Sequence, residues 1–309
     1  MIRTFHPIGQ GAFYSEQFEN YTIVYDCGSA TRVALVENEI KKTFSKNHLI
    51  NAVFISHFHV DHVNGLEFLL KYCNIQNIFL PLLNDDEKIQ LLIHNSIQGS
   101  NNIFIRNLVL NPINTLSEFG VHVYLIPPID EEPRENQEDE GTTINIEEND
   151  YSNGNLPQGK IKLTSLKIPN WVFIPFNFQR TERSRKLKDE LTKKNISINN
   201  ISDFDSIWAD SQQKTELISA YKKIPGGFNT NSMTLYSGFE QKSPYIDKLY
   251  NPREFWYCCH FEFWNLSGCL YLGDYDAKGA SKWANLYREY ASYWNNIGVI
   301  QIGYVTVKC

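Results

Sequence analysis

A chain of 309 residues, 42% hydrophobic and 21% charged, can bury a large core and has an ordinary globular composition. A net charge of −6 argues against a broad electrostatic grip on a nucleic-acid backbone, though it leaves room for a small basic cleft. The N-terminus shows no signal-peptide pattern and no apolar run reaches transmembrane length, so a cytoplasmic protein that does not enter a membrane is expected. The six cysteines are scattered, with Cys258 and Cys259 adjacent and no Cys-x-x-Cys pair, which fits a reduced interior.

In chain order, Ile2–Phe5 is a short strand, Gly9-Gln10-Gly11 a turn, and Phe13–Phe18 and Tyr21–Asp26 a pair of strands around Glu19-Asn20. The second strand ends in Asp26-Cys27-Gly28-Ser29. Val33 to Phe44 is helical, with Val33, Val36, Ile40 and Phe44 on one face. Asn51–Ile55 is a buried strand. It runs into Ser56-His57-Phe58-His59-Val60-Asp61-His62, and Val63–Tyr72 follows as a helix. Three imidazoles and a carboxylate therefore lie on the loop where a strand gives way to a helix, the place where α/β folds put ligands. Neutral imidazole and carboxylate donors suit zinc, and also iron or manganese. His57 and His59, two apart, can grip one ion, while Asp61 and His62 can reach a second.

Ile78–Pro81 is a strand, Asp85–Ile97 a helix and Val121–Ile126 a strand. His94 lies among Leu91, Leu92 and Ile93, and His122 alternates with apolar residues. Both read as packing or surface histidines. Residues 130–155 are rich in Asp and Glu and read as an acidic surface loop. Lys162–Lys167 and Trp171–Phe178 are strands. Residues 179–225 hold two helices, 181–195 and 203–222, as a helical insertion that could cap a sheet edge. Beyond Pro225-Gly226-Gly227 come Asn229–Ser232, the strand Met233–Tyr236, strands over Trp256–Phe263 and Cys269–Leu272, then Gly273-Asp274. An aromatic helix over 280–294 and a strand over Gly298–Ile302 follow.

His-x-His-x-Asp-His after an apolar strand resembles the signature of the metallo-β-lactamase superfamily, and further pieces match it in order from residue 1 to about residue 302. The resemblance implies one domain over 1–309 with an αββα four-layer sandwich, expected here as two mostly antiparallel sheets with helices outside. It implies two divalent metal ions, zinc or else manganese or iron. His57 and His59 would hold the first, Asp61 and His62 the second, and Asp274 would bridge them, with Gly273 permitting the close approach. Asp26 would orient the histidine loop through hydrogen bonds rather than bind metal; the other reading is a turn-forming aspartate. Asn231 and Ser232 resemble the asparagine–serine pair of the ComEC-type DNA-uptake branch. Asn231 could orient substrate or water, act as a weak ligand, or cap a strand.

The implied activity is metal-dependent hydrolysis by an activated water, with Asp61 also taking its proton, on a small-molecule or nucleic-acid phosphodiester. An ester, thioester or lactone hydrolase and a catalytically impaired binding module, with a protein partner, are the alternatives. The departure is at the end: that branch closes on Pro-His-His-Gly, whereas no histidine follows His260 here. Truncation, a diverged frame after Ile302, a substitution by His260 or a weakened second site would each account for it.

Overall fold

The computed structural model describes residues 1–100, 102–129, 141–148, 153–178, 181–198, 201–224, 232–240, 267–275, 277 and 280–302. Among these, the strands form two sheets. The first runs in the order β1 (Ile2–Phe5), β2 (Gly11–Gln17), β3 (Thr22–Ser29), β4 (Leu49–Phe54), β5 (Asn74–Pro81), β6 (His122–Ile126) and β9 (Gly154–Asn155). The second runs β14 (Ile297–Gln301), β13 (Gly268–Tyr271), β12 (Thr234–Phe239), β11 (Trp171–Phe178), β10 (Ile161–Thr164) and β8 (Thr142–Asn145), with β7 (Pro128–Ile129) beside β11.

Side-chain alternation sorts the strands into layers. On β4, Ala52 and Phe54 face the second sheet, while Val53 and the next residue, Ile55, face helices. On β11, Trp171 and Phe173 point between the sheets, and Val172, Ile174, Phe176 and Phe178 point away. The space between the sheets is rich in aromatic rings, such as the stack of Phe54 on Phe79 and Tyr124 beyond it. One outer face carries α1 (Val33–Thr43), α2 (Val60–Val63), α3 (Leu66–Tyr72), α4 (Asp85–Ile97), α5 (Ile103–Leu110), α6 (Pro112–Ser117), α7 (Thr181–Thr192), α8 (Ile201–Ala209) and α9 (Ser211–Tyr221). The other carries α10 (Ala280–Glu289) and a 3-10 helix, Ala291–Asn296. The result is the four-layer αββα sandwich.

Several sequence expectations change. The first sheet is not mostly antiparallel: from β3 to β9 every neighbour is parallel. Each step from β3 to β6 returns through helices, and a helical crossover delivers the next strand parallel. The helix expected over 63–72 divides at Asn64-Gly65 into α2 and α3. Two helices, α5 and α6, fill a stretch that had no assignment, and Pro112 opens the second at a position where its missing N–H costs nothing. The second helix of the insertion splits at Asp210, whose side chain accepts from Gln213 N–H and caps α9.

The insertion lies on α4. Leu187, Leu191, Phe204, Leu217 and Tyr221 join the same core as Leu92 and Ile93, and Gln90 donates to Ser184 Oγ at 2.7 Å. Within the acidic stretch, 130–140 and 149–152 lie outside the described residues. The rest supplies β8 and β9, with Ile144 and Ile146 buried between the sheets.

Candidate metal centre

Asp26 is where the local chain departs furthest from regular structure. The β2–β3 register shifts so that Tyr14 faces Tyr25 and Phe13 faces Cys27, leaving Asp26 as the extra residue of a bulge. Its φ is +56°, a left-handed conformation that aspartate tolerates better than most residues at a cost of about 1–2 kcal/mol. The bulge aims its carboxylate at the loop after β4. Ser56 donates to it twice, from N–H to Oδ1 and from Oγ–H to Oδ2, both at 2.7 Å. His62 Nδ1–H donates to Oδ2 at 2.8 Å.

These bonds set tautomers. Because the Ser56 hydroxyl hydrogen is spent on Asp26, its oxygen accepts from His57 Nδ1–H at 2.9 Å. Both His57 and His62 thus carry the proton on Nδ1 and turn Nε2 toward Asp274. His57 Nε2 lies 3.7 Å from Asp274 Oδ2, and His62 Nε2 lies 3.5 Å from Asp274 Oδ1. His59 joins from the other side, its Nδ1 3.0 Å from His57 Nε2. Burial and the neighbouring His62 hold His57 well below the ordinary imidazole value, against the pull of Asp274, so its ring stays neutral. Burial pushes His62 down too, but Asp26 and then Asp274 outweigh it and leave the ring well above its ordinary value.

The second sheet delivers Asp274. Met233 N–H bonds Ser56 carbonyl at 2.8 Å, tying β12 to the end of β4. Ser232 Oγ accepts Asp274 N–H at 3.0 Å and sits 3.3 Å from His57 Nδ1. Gln301 Oε1 accepts the N–H groups of Leu272 and Gly273 at 3.1 and 3.2 Å. Gly273 has φ +53°, and a Cβ there would run into Ser232 Oγ and the Ser56 side chain. Only glycine satisfies both demands. Gly28 is required for closeness instead: a Cβ would strike the backbone of Asp61 and His62, which pack directly on β3.

The donor atoms of His57, His62 and Asp274 lie within 4.8 Å of one another. Two donors held at about 2.0–2.2 Å from one ion at the tetrahedral angle stand roughly 3.3–3.5 Å apart, so this nitrogen and oxygen set has the spacing and chemistry of a cation site. His59 adjoins the set through His57. Asp61, half-buried in α2, is not among those grouped donors. Asn231 and His260 lie outside the described residues. One buried histidine that the sequence reading set aside stands in the site: the His94 ring lies 4.2 Å from that of His59.

The family model that matches is that of the anti-Pycsar protein Apyc1, over residues 13–102, the stretch from β2 to the end of α4 that holds Asp26 and the histidine loop. No curated protein matches the chain. Among solved structures, human tRNase Z, short form, is similar at 13% identity with a TM-score of 0.31. That likeness covers 77% of this chain, which spans 64% of the other's length. No helix among the described residues is long and apolar enough to cross a membrane.

Proposed function

We propose that the protein is a metal-dependent phosphodiester hydrolase of the metallo-β-lactamase superfamily, acting in the cytoplasm on a small diester such as a cyclic nucleotide. The observation that carries this is the convergence of His57 Nε2 and His62 Nε2 on the two oxygens of one carboxylate, Asp274, with His59 alongside. The family match over the stretch that bears the histidine loop supports it. A net charge of −6 favours a small diester over a long polyanion, which would need many phosphate contacts.

In this reading His57, His59 and Asp274 would hold one divalent ion and His62, Asp61 and Asp274 would hold the other. Zinc, manganese and iron all suit the donors. Such ions, when bound, lower the pKa of a shared water and supply a nucleophile at neutral pH. The chain's own residues do the rest. Asp26 and Ser56 hold a proton on Nδ1 of both His57 and His62, so that both Nε2 atoms face inward; His62, raised by Asp26 and Asp274, would give up its Nε2 proton to take an ion. Asp61 takes the proton from the attacking water. Ser232 steadies Asp274 through its N–H, and Asn231 orients substrate.

Metal content per chain, measured beside hydrolysis of bis(p-nitrophenyl) phosphate, a 3′,5′-cyclic nucleotide and a short RNA, tests the reading. Two ions and chelator-sensitive cleavage of a diester are expected. A chain that takes up no divalent ion sinks it, and cleavage of a lactone or thioester but no diester replaces the substrate class. Equal cleavage by Asp61→Asn removes that residue's role.

A further inference from the structure

His94 is made by α4, far from the histidine loop in sequence, and its neighbours Leu91, Leu92 and Ile93 explain why it reads as a packing residue. The helix does more than pack. A capping box between Asn84 and Glu87 fixes its first turn. Its last turn reaches the loop twice. Asn95 Nδ2–H donates to the Phe58 carbonyl at 3.2 Å, and the buried His94 ring lies over His59 at 4.2 Å between centroids with 34° between planes. Behind His94 stands Tyr221 of α9, with centroids 6.5 Å apart.

We propose that His94 is a positioning residue for the cation site: packed at a tilt against His59, it fixes the ring plane that turns Nδ1 toward His57 Nε2. The proposal rests on the metal-centre reading above. His59 follows Phe58 on a loop and starts α2 with no side-chain cap. Its Nδ1 contact to His57 holds one edge of the ring, and the His94 ring packed 4.2 Å away restricts rotation of the plane about χ1 and χ2. His94 acts through His59, the ring of the histidine loop against which it packs, rather than on an ion directly. The insertion α7–α9 acquires a function from this: Tyr221 backs the ring that backs the ligand.

Co²⁺ binding separates the possibilities, followed by equilibrium dialysis and by the visible ligand-field spectrum, with thermal melting of each metal-free variant. His94→Leu keeps apolar volume but removes the aromatic face, and His94→Phe restores the face without nitrogens. Leu is expected to weaken Co²⁺ binding about 10–100-fold, the range for residues that orient ligands, and to alter the spectrum at an unchanged melting temperature. Phe is expected to return both toward wild type. Wild-type affinity and spectrum in His94→Leu overturn the proposal, as does a His94→Phe variant as weak as Leu, which would make the ring nitrogens the active feature. A wild-type protein that takes up no Co²⁺ overturns the metal-centre reading itself and the proposal with it, an outcome distinct from unchanged variants.

Discussion

Two buried polar clusters join the sheets, and they are built on opposite principles. In the first, Glu16 of β2 is fully buried yet completely answered: it accepts from Arg3 Nε at 2.6 Å, Ser237 Oγ at 2.6 Å and Tyr271 OH at 2.9 Å. Arg3 spends Nη2 on the Ser267 carbonyl, and Trp171 Nε1 donates to Ser237 Oγ. Both Glu16 oxygens are bonded from three side chains, so the cluster is a clasp. In the second, Asp26 is answered in the same way by Ser56 and His62, while the far edges of the rings turn toward one another and toward Asp274. His59 Nδ1 lies 3.0 Å from His57 Nε2, and the Asp274 oxygens stand 3.5 and 3.7 Å from the Nε2 atoms of His62 and His57. The first cluster closes on itself and holds the fold together; the second gathers imidazoles and a carboxylate about a common point, the arrangement proposed above to take a cation.

Substitutions that treat the clusters alike should give opposite results. The largest effect is expected for Asp274→Ala, which removes both oxygens. Divalent-ion uptake and hydrolysis should fall to background while the metal-free melting temperature holds. Stripping ions with EDTA should then destabilise the wild type but not this variant, since only a bound ion adds stability. Glu16→Ala leaves Arg3 buried without its partner and should cost about 3–5 kcal/mol in chemical denaturation, with ion affinity per folded molecule unchanged. If ion affinity collapses instead, the clasp is part of the site and the comparison breaks.

How much of this is legible in the sequence follows from distance along the chain. The histidine loop is local: strand, His57, His59, His62 and helix are contiguous, and periodicity alone places them. Asp26 and Gly273-Asp274 could be read as strand ends, though not the bulge that aims Asp26, which arises from pairing with β2. The Glu16 clasp was invisible because a glutamate inside an alternating strand looks like a solvent-facing residue. Arg3, Ser237 and Tyr271 answer it only after both sheets stack. His94 was hidden for the converse reason, since apolar neighbours signal burial but not what lies on the other side. Parallel pairing was missed although helices between these strands were legible, because a helix between two strands does not by itself say that the strands are neighbours in one sheet.

Smaller effects sharpen the contrast. Asp26→Asn keeps the shape but weakens the acceptor that fixes both tautomers, and should lower metal affinity about 10–100-fold with a modest change in stability. Gln301→Leu leaves the Leu272 and Gly273 N–H groups without their acceptor, at about 1–3 kcal/mol. It should also loosen Asp274, visible as weaker ion binding. Tyr271→Phe removes one of three donors to Glu16 and should cost only about 1 kcal/mol, with no change in ion binding.

Gln301 sits on β14, after Asp274 in the chain, and Ser232 and His57, which meet in the same cluster, are 175 residues apart in sequence. During synthesis on a ribosome the imidazoles emerge early and wait. In the reading proposed above, an ion met at that stage would find only the loop's own donors, without Asp274 to close over it, and would exchange freely. On that reading, retention of an ion would wait until β14 docks and Asp274 is in place, so the choice would fall to the folded sandwich rather than to the nascent loop.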